Sequence, residues 1–283
     1  QHEHEELVRM IGLKAATYLA EAGKEVECDS VEEFEHKPFY EADNQYPDLP
    51  KVGYVYMLQS QGLLHDTYVY GVDAKQILPT LISPTEVMDG AIISGNCVSA
   101  CDKNATFIHQ NNPVIKDLYE RHGKDFNFMG VIITNENVTL ADKERSSNYT
   151  AKLAEQMGLD AAIVSEEGFG NPDADLIMNC TKLEEKGIKT VLITDEYAGR
   201  DGSSQSLADA DPRADAVITA GNANEVITLP PLEKTIGYQK TANVIAGGFD
   251  GNIEDDGSIT VEIQAITGST NELGFNKLTA RGY

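Results

Sequence analysis

Cys97 and Cys101 stand in a polar loop behind a short apolar run, Gly90-Ala91-Ile92-Ile93-Ser94. A cysteine thiolate is a strong nucleophile and a metal ligand. Two cysteines at this spacing fit half a metal site, a redox pair or two buried thiols. Zinc needs four ligands, or three and a water. His109 is the nearest further donor, and Cys28 and Cys180 lie far along the chain, so no metal site is expected. The run reads as a buried strand, and Gly95-Asn96-Cys97 opens the loop after it. Ligand sites in open α/β sheets lie at the carboxyl ends of strands, which makes this loop a positional candidate for an active site.

The second group with chemical capacity is acidic. Glu166 and Glu167 follow the apolar run Ala161 to Ser165. They are candidates to act as an acid or to orient an amine; the alternative is a pair of solvated loop carboxylates. Asp195-Glu196, after Thr190 to Thr194, invites the same two readings. His109 is a candidate for proton transfer, or a hydrogen-bonded histidine in a polar loop. Gly168-Phe169-Gly170 sits where a dinucleotide loop would, but the third glycine of that fingerprint is absent. Glu166, Glu167, Asp173 and Asp175 around it would repel a pyrophosphate, so a tight turn with acidic helix capping is the favoured reading.

The elements that must position these groups follow from periodicity. Residues 5–22 carry apolar side chains at helical spacing and end at Gly23. An acidic connector follows. Lys51 to Leu58 reads as a strand with Asp66 to Val72 as its neighbour, and Ile77 to Ile82 as a short broken helix between prolines. Asn112-Pro113 has the capping residue and first-turn proline of a helix start. Beyond it strands and helices alternate: a strand at 128–134, a helix at 141–157 with Tyr149, Leu153 and Met157 on one face, a strand at 161–165, and a helix from Asn171-Pro172 with Leu176, Cys180 and Leu183 facing inward. Strands at 190–194 and 214–220 come next, and a last one near 258–266. Short apolar strands between helices predict an α/β fold, a mostly parallel sheet with helices on both faces. A smaller α+β N-terminal portion, residues 1–88, precedes the α/β portion, residues 89–283.

Composition narrows the function. The chain has 283 residues, 41% of them hydrophobic, and a formal net charge of -24 from 46 acidic and 22 basic residues. That charge repels phosphate backbones and anionic membrane surfaces, so neither nucleic acid nor a membrane is an expected partner. Four cysteines do not make a disulfide scaffold in a chain this long, and a reducing cytoplasm is expected. The start, Gln1-His2-Glu3-His4 without a methionine, is expected of a fragment lacking N-terminal residues.

Longer motifs carry a family resemblance. The run from Gly90 through Asn96-Cys97 to Pro113, the segment Ser165 to Asp175, and Gly247-Gly248-Phe249-Asp250-Gly251-Asn252 together resemble the proprotein subunit of component B of the glycine, sarcosine and betaine reductases. The likeness runs through most of the chain. It implies self-cleavage before Cys97: the thiol attacks the Asn96 carbonyl to give a thioester, elimination leaves a dehydroalanyl terminus, and hydrolysis yields a pyruvoyl group. It thereby makes Cys97 the catalytic precursor and Asn96 the cleavage-site residue, while His109 as a catalytic proton-transfer group and Glu166 and Glu167 as amine-binding residues remain expectations from their positions in the chain. A pyruvoyl ketone is an electrophile for an amine; glycine and sarcosine can attack it, whereas the quaternary nitrogen of betaine cannot. A selenocysteine-containing subunit of component B would supply the nucleophile and pass its product to the component A selenoprotein. The implied setting is anaerobic amino-acid fermentation, with no flavin or nicotinamide on this chain. The rival readings are a D-proline reductase proprotein, a non-catalytic scaffold that keeps Cys97 intact, and an ordinary cysteine-nucleophile enzyme.

Overall fold

The computed structural model describes residues 2–60, 67–94, 104–204, 207–234 and 239–267. In chain order the helices are α1 (His2–Glu21), α2 (Phe39–Ala42), α3 (Pro84–Met88), α4 (Thr106–Gln110), α5 (Pro113–Arg121), α6 (Leu140–Gln156), α7 (Asn171–Glu184) and α8 (Gln264–Thr267). The strands are β1 (Lys51–Leu58), β2 (Thr67–Val69), β3 (Val72–Asp73), β4 (Thr80–Ile82), β5 (Ile92–Ser94), β6 (Asn127–Asn135), β7 (Ala161–Ser165), β8 (Lys189–Glu196), β9 (Val217–Asn222), β10 (Val226–Leu229) and β11 (Ile259–Glu262).

The main sheet has six strands in the order β4-β6-β1-β7-β8-β9. All its neighbours run parallel except β4, which pairs antiparallel with β6. The α/β expectation is borne out. β1 is nevertheless misread in the sequence: its partners are β6 and β7, not residues 66–72. β2 instead joins β3 and β5 in a separate antiparallel sheet. Hydrophobic pattern fixes that a segment is a strand, but partners this distant in sequence are chosen by packing. β1, from the N-terminal portion, thus lies inside the sheet formed mainly by later strands.

Alternation along β1 divides the core. Tyr54, Tyr56 and Leu58 face Ile108, Val114, Ile115 and Leu118 of α4 and α5. Val55 and Met57 face Ala151, Ala154, Leu176 and Cys180 of α6 and α7. Helices therefore cover both faces, as buried parallel sheets require. Gly53 is the close-approach point of β1, since a Cβ there would lie 2.4 Å from Leu159 Cδ1.

Local signals held where they were explicit. Asn112 caps α5 by accepting the Ile115 N–H at 3.0 Å, with Pro113 next. Three other readings need correction. Thr80–Ile82 is an edge strand, and the neighbouring helix α3 starts at Ser83-Pro84 with a capping box. The run at 92–94 is buried as expected, but it belongs to the small antiparallel sheet. In α6 the buried face is Lys143, Ser146, Ser147, Thr150, Ala151 and Ala154, while Tyr149 is exposed. Its first half packs on polar groups, while Leu153 and Met157 do pack against the core as expected, so Tyr149 alone of the three is misplaced by apolar spacing.

Candidate functional site

Parallel strands end together, and the carboxyl ends of β1, β6, β7 and β8 converge on one edge of the sheet. Each strand is followed at once by a polar residue: Gln59 after β1, Glu136 after β6, Glu166 and Glu167 after β7. From β8 itself comes Thr194. Register explains their meeting: Leu58 pairs with Asn135 and Tyr56 with Ser165. All five polar side chains are buried, the three glutamates at 0% exposure, which excludes solvated loop carboxylates.

Glu167 is the hub. Its Oε2 accepts the Gln59 backbone N–H at 2.6 Å, and its Oε1 accepts the Asn104 backbone N–H at 2.9 Å. Its own N–H donates to Glu136 Oε1 at 2.7 Å. Gln59, with its amide nitrogen turned toward the cluster, donates to Glu136 and to the Glu167 carbonyl. Glu136 is tied further through its backbone, its N–H donating to Leu58 O at 3.0 Å and its carbonyl accepting from Ser60 Oγ at 2.5 Å. Glu166 accepts the Thr194 hydroxyl.

His109 enters from above on α4. Its Nδ1 is 2.7 Å from the Tyr56 hydroxyl, and its Nε2 lies 3.9 Å from Glu167 Oε1. Asn104 Nδ2 donates to the same Tyr56 hydroxyl at 3.2 Å. Tyr54, two residues back on the same face of β1, stacks on Tyr56 at 5.1 Å between ring centroids and bonds Ser165 Oγ at 2.6 Å. His109 is fully buried in a helix, where the sequence suggested a polar loop.

The electrostatics follow from this crowding. Burial, reinforced by the charges of Glu167, Glu166 and Asp175, holds the Glu136 carboxyl well above the usual range, although the Glu167 N–H works the other way. Behind it, Asp175 accepts the Asn137 N–H at 3.2 Å and pairs with Lys143, so this lysine is already engaged. Burial pushes Asp175 up to about 6 despite Lys143.

The residues singled out from sequence divide into two groups. Glu166, Glu167 and His109 are brought to one place, and Asn104, at the start of the described chain after residues 95–103, is bound into the same network. Asn96, Cys97 and Cys101 lie outside the described residues. A family model described as glycine/sarcosine/betaine reductase component B subunits matches residues 1–281. The chain belongs to that family.

Relatives within the component B family grade by substrate name. The chain is 70% identical over 285 residues to the glycine reductase complex component B subunits alpha and beta of Acetoanaerobium sticklandii. It is 58% identical over 282 residues to the sarcosine reductase complex component B subunit alpha of Peptoclostridium acidaminophilum. To the betaine reductase complex component B subunit alpha of that organism it is 38% identical over 293 residues. All of this chain is covered in each case, and it spans 66% of the length of each relative. No solved structure matches the chain.

Sequence reasoning missed Gln59, Tyr56, Asn104, Glu136 and Thr194. A signal existed for Gln59 and Glu136: each directly follows a buried parallel strand, the same rule that drew attention to Glu166. Tyr56 and Thr194 had none, since they sit inside strands and read as core. Glu196 shows the limit of the rule; it accepts the Thr219 hydroxyl at 2.9 Å and ties β8 to β9. Cys180 is buried and bonds Thr190 Oγ1 at 3.3 Å, while Cys28 is exposed. Among the described residues no group of three or more His, Cys, Asp or Glu is arranged to hold a metal ion, and no helix is long and apolar enough to cross a membrane.

Proposed function

We propose that this chain is the amine-activating part of a glycine reductase component B, matured by cleavage between Asn96 and Cys97 to give a pyruvoyl group from Cys97. The observation that carries this reading is the grip of buried Glu167 on the Asn104 N–H at the carboxyl edge of the sheet. Asn104 follows the stretch that contains Asn96 and Cys97, so the chemistry the family implies and the polar cluster adjoin one another in sequence. Family membership and the order of identities support the substrate class.

The surrounding residues fit such a group. Asn104 Oδ1 is a buried oxygen with no hydrogen-bond partner among the described residues, and an amine N–H is a suitable donor to it. A pyruvoyl ketone supplies an electrophilic carbonyl for an amino group. The protein's own side chains provide the rest. Glu166 and Glu167 bring negative charge that attracts an ammonium group and orients it. His109, held by Tyr56, is positioned to take up or return a proton at its ring nitrogen. Burial excludes water, which strengthens each of these interactions. Glycine and sarcosine carry the N–H this arrangement addresses; betaine does not.

In the same reading the nucleophile comes from a selenocysteine-containing partner subunit, the product passes to a selenoprotein of component A, and the complex works in the cytoplasm of an amino-acid-fermenting anaerobe. The test is covalent capture. The purified complex is treated with borohydride and isotopically labelled glycine, sarcosine or betaine, and the peptides are mapped. Label from glycine on the peptide that begins at position 97, and none from betaine, is the expected result. Absence of label from every amine in an active complex overturns the reading.

A further inference from the structure

We propose that Asp173 is a positioning residue: it clamps the turn that carries Glu166 and Glu167 to the chain that returns after β8. The turn Glu166 to Gly170 leaves β7 and enters α7. Asp173, in the first turn of α7, is 1% exposed. Its Oδ1 accepts the Gly170 N–H at 2.9 Å, and the Gly170 carbonyl accepts the Asp173 N–H at 3.1 Å. Its Oδ2 accepts the Ala208 N–H at 2.5 Å, from 35 residues further along the chain. A second link lies beside it. The Phe169 ring stacks on Tyr197, the residue after β8, with 3.8 Å between centroids and 23° between planes. The neighbours of Tyr197 are fixed in their turn, Ala198 and Gly199 donating their N–H groups to Asn222 Oδ1 at 3.0 Å and Asn224 Oδ1 at 3.1 Å.

Helix capping accounts for one oxygen of Asp173, the one on the Gly170 N–H. The bond to Ala208 adds nothing to a cap; it joins two loops that are distant in sequence. Gly168 and Gly170 have φ of 76° and 81°, a region that glycine enters freely. The glycines allow the turn but do not hold it, and contacts from other elements must. The placing of this turn matters because both glutamates on it are committed to several partners. Glu167 accepts the N–H groups of Gln59 and Asn104 at 2.6 and 2.9 Å. Glu166 donates its N–H to the Ile193 carbonyl at 3.2 Å and accepts the Thr194 hydroxyl, both on β8. Asp173 and the Phe169–Tyr197 stack set the entry of α7 against the chain after β8, and with it the two carboxylates that orient an ammonium group.

The consequence for amine binding rests on the function proposed above; the clamp itself does not. The full proprotein is expressed with its natural partner as wild type, Asp173→Asn, Asp173→Ala and Phe169→Leu, with Asn112→Ala as a helix-cap control on α5. Amide exchange is read at Gly170, Ala208 and Asn104, and KM and kcat for glycine in the assembled complex. Asp173→Ala should lose about tenfold or more of the protection at all three amides and raise KM by a similar factor, with kcat within about threefold of wild type. Asp173→Asn keeps one carbonyl oxygen and should fall between Ala and wild type. Phe169→Leu keeps Asp173 and loses the stack, and should raise KM about two- to tenfold. Asn112→Ala should leave Asn104 exchange and KM unchanged. If Asp173→Ala frees Gly170 and Ala208 while Asn104 exchange and KM match wild type, Asp173 only caps α7 and the proposal fails. It fails equally if kcat falls while KM holds. Should Asp173→Ala not fold, unchanged Asn104 exchange in both Asp173→Asn and Phe169→Leu overturns it. A wild type that never cleaves before Cys97 counts against the proposed function instead, and the exchange comparison still tests the clamp.

Discussion

Replacing Glu167 separates hydrogen bonding from charge at the centre of the cluster. Its carboxylate accepts two buried backbone N–H groups, from Gln59 at 2.6 Å and Asn104 at 2.9 Å. In Glu167→Ala both lose this acceptor, and an orphaned buried donor costs about 1–3 kcal/mol, so the gross loss is about 2–6 kcal/mol. Glu167→Gln keeps one oxygen acceptor, and its amide nitrogen faces the other N–H, so its loss is about half as large. An opposing effect acts through Glu136, whose carboxyl Glu167 holds upward. Without the Glu167 charge, Glu136 ionises more easily and the buried repulsion disappears. That relief matters only where Glu136 would lose its proton, so the Ala deficit should be largest at mildly acidic pH and shrink as pH rises. Urea unfolding at about pH 6 and about pH 8.5, with exchange at the Asn104 and Gln59 amides, resolves the two effects. Glu167→Ala as stable as wild type, with Asn104 still protected, would refute the role of hub.

Other outcomes follow from the same geometry. Tyr56→Phe removes the hydroxyl shared by His109 and Asn104, and should cost about 1–3 kcal/mol in unfolding free energy while leaving the circular dichroism unchanged. Lys143→Met strips Asp175 of the cation that lowers its pKa; breaking such a buried pair should cost about 3–5 kcal/mol, and Asp175 should titrate above about 6 in carboxyl NMR. Both Glu136 and Asp175 have folded pKa values raised above their unfolded ones. Their native states hold protons that the unfolded chain releases, so stability is highest below the ordinary carboxylate range and falls as pH rises through the folded values. For Asp175 that loss falls between about 4 and about 6, and Asp175→Asn should abolish it in a pH series of unfolding midpoints. Asn112→Ala removes the α5 cap and should lower stability by about 1 kcal/mol without altering the site's exchange pattern.

The sequence made the repeated strand and helix pattern readable because its signals are local. Runs such as Phe128 to Thr134 and Thr190 to Thr194 can bury on both faces, and Asn112-Pro113 announces a helix start by its own chemistry. The partners of Lys51–Leu58 were not readable, since β6 and β7 compete for it only once the chain has folded. The polar face of α6 was hidden for a related reason: Lys143 is buried because Asp175, on another helix, is there to meet it. Position after a strand picked out Glu166 and Glu167, but their burial depends on α4 and Asn104 closing over them. His109 was noticed for its ring and misjudged for its setting, because a five-residue helix leaves little periodicity to read. Glu136 follows a strand as Glu166 does, but the upward push on its carboxyl was not legible, because it comes from burial and from Glu166, Glu167 and Asp175, which only the fold gathers around it.

The central claim is that maturation before Cys97 creates the electrophile. Its most direct test is the intact mass, under denaturing conditions, of the full proprotein expressed with its natural partner and then treated with phenylhydrazine. Two fragments that divide between Asn96 and Cys97, with the hydrazone on the C-terminal one, are the predicted result. A single uncleaved and unlabelled chain in an active complex would contradict it.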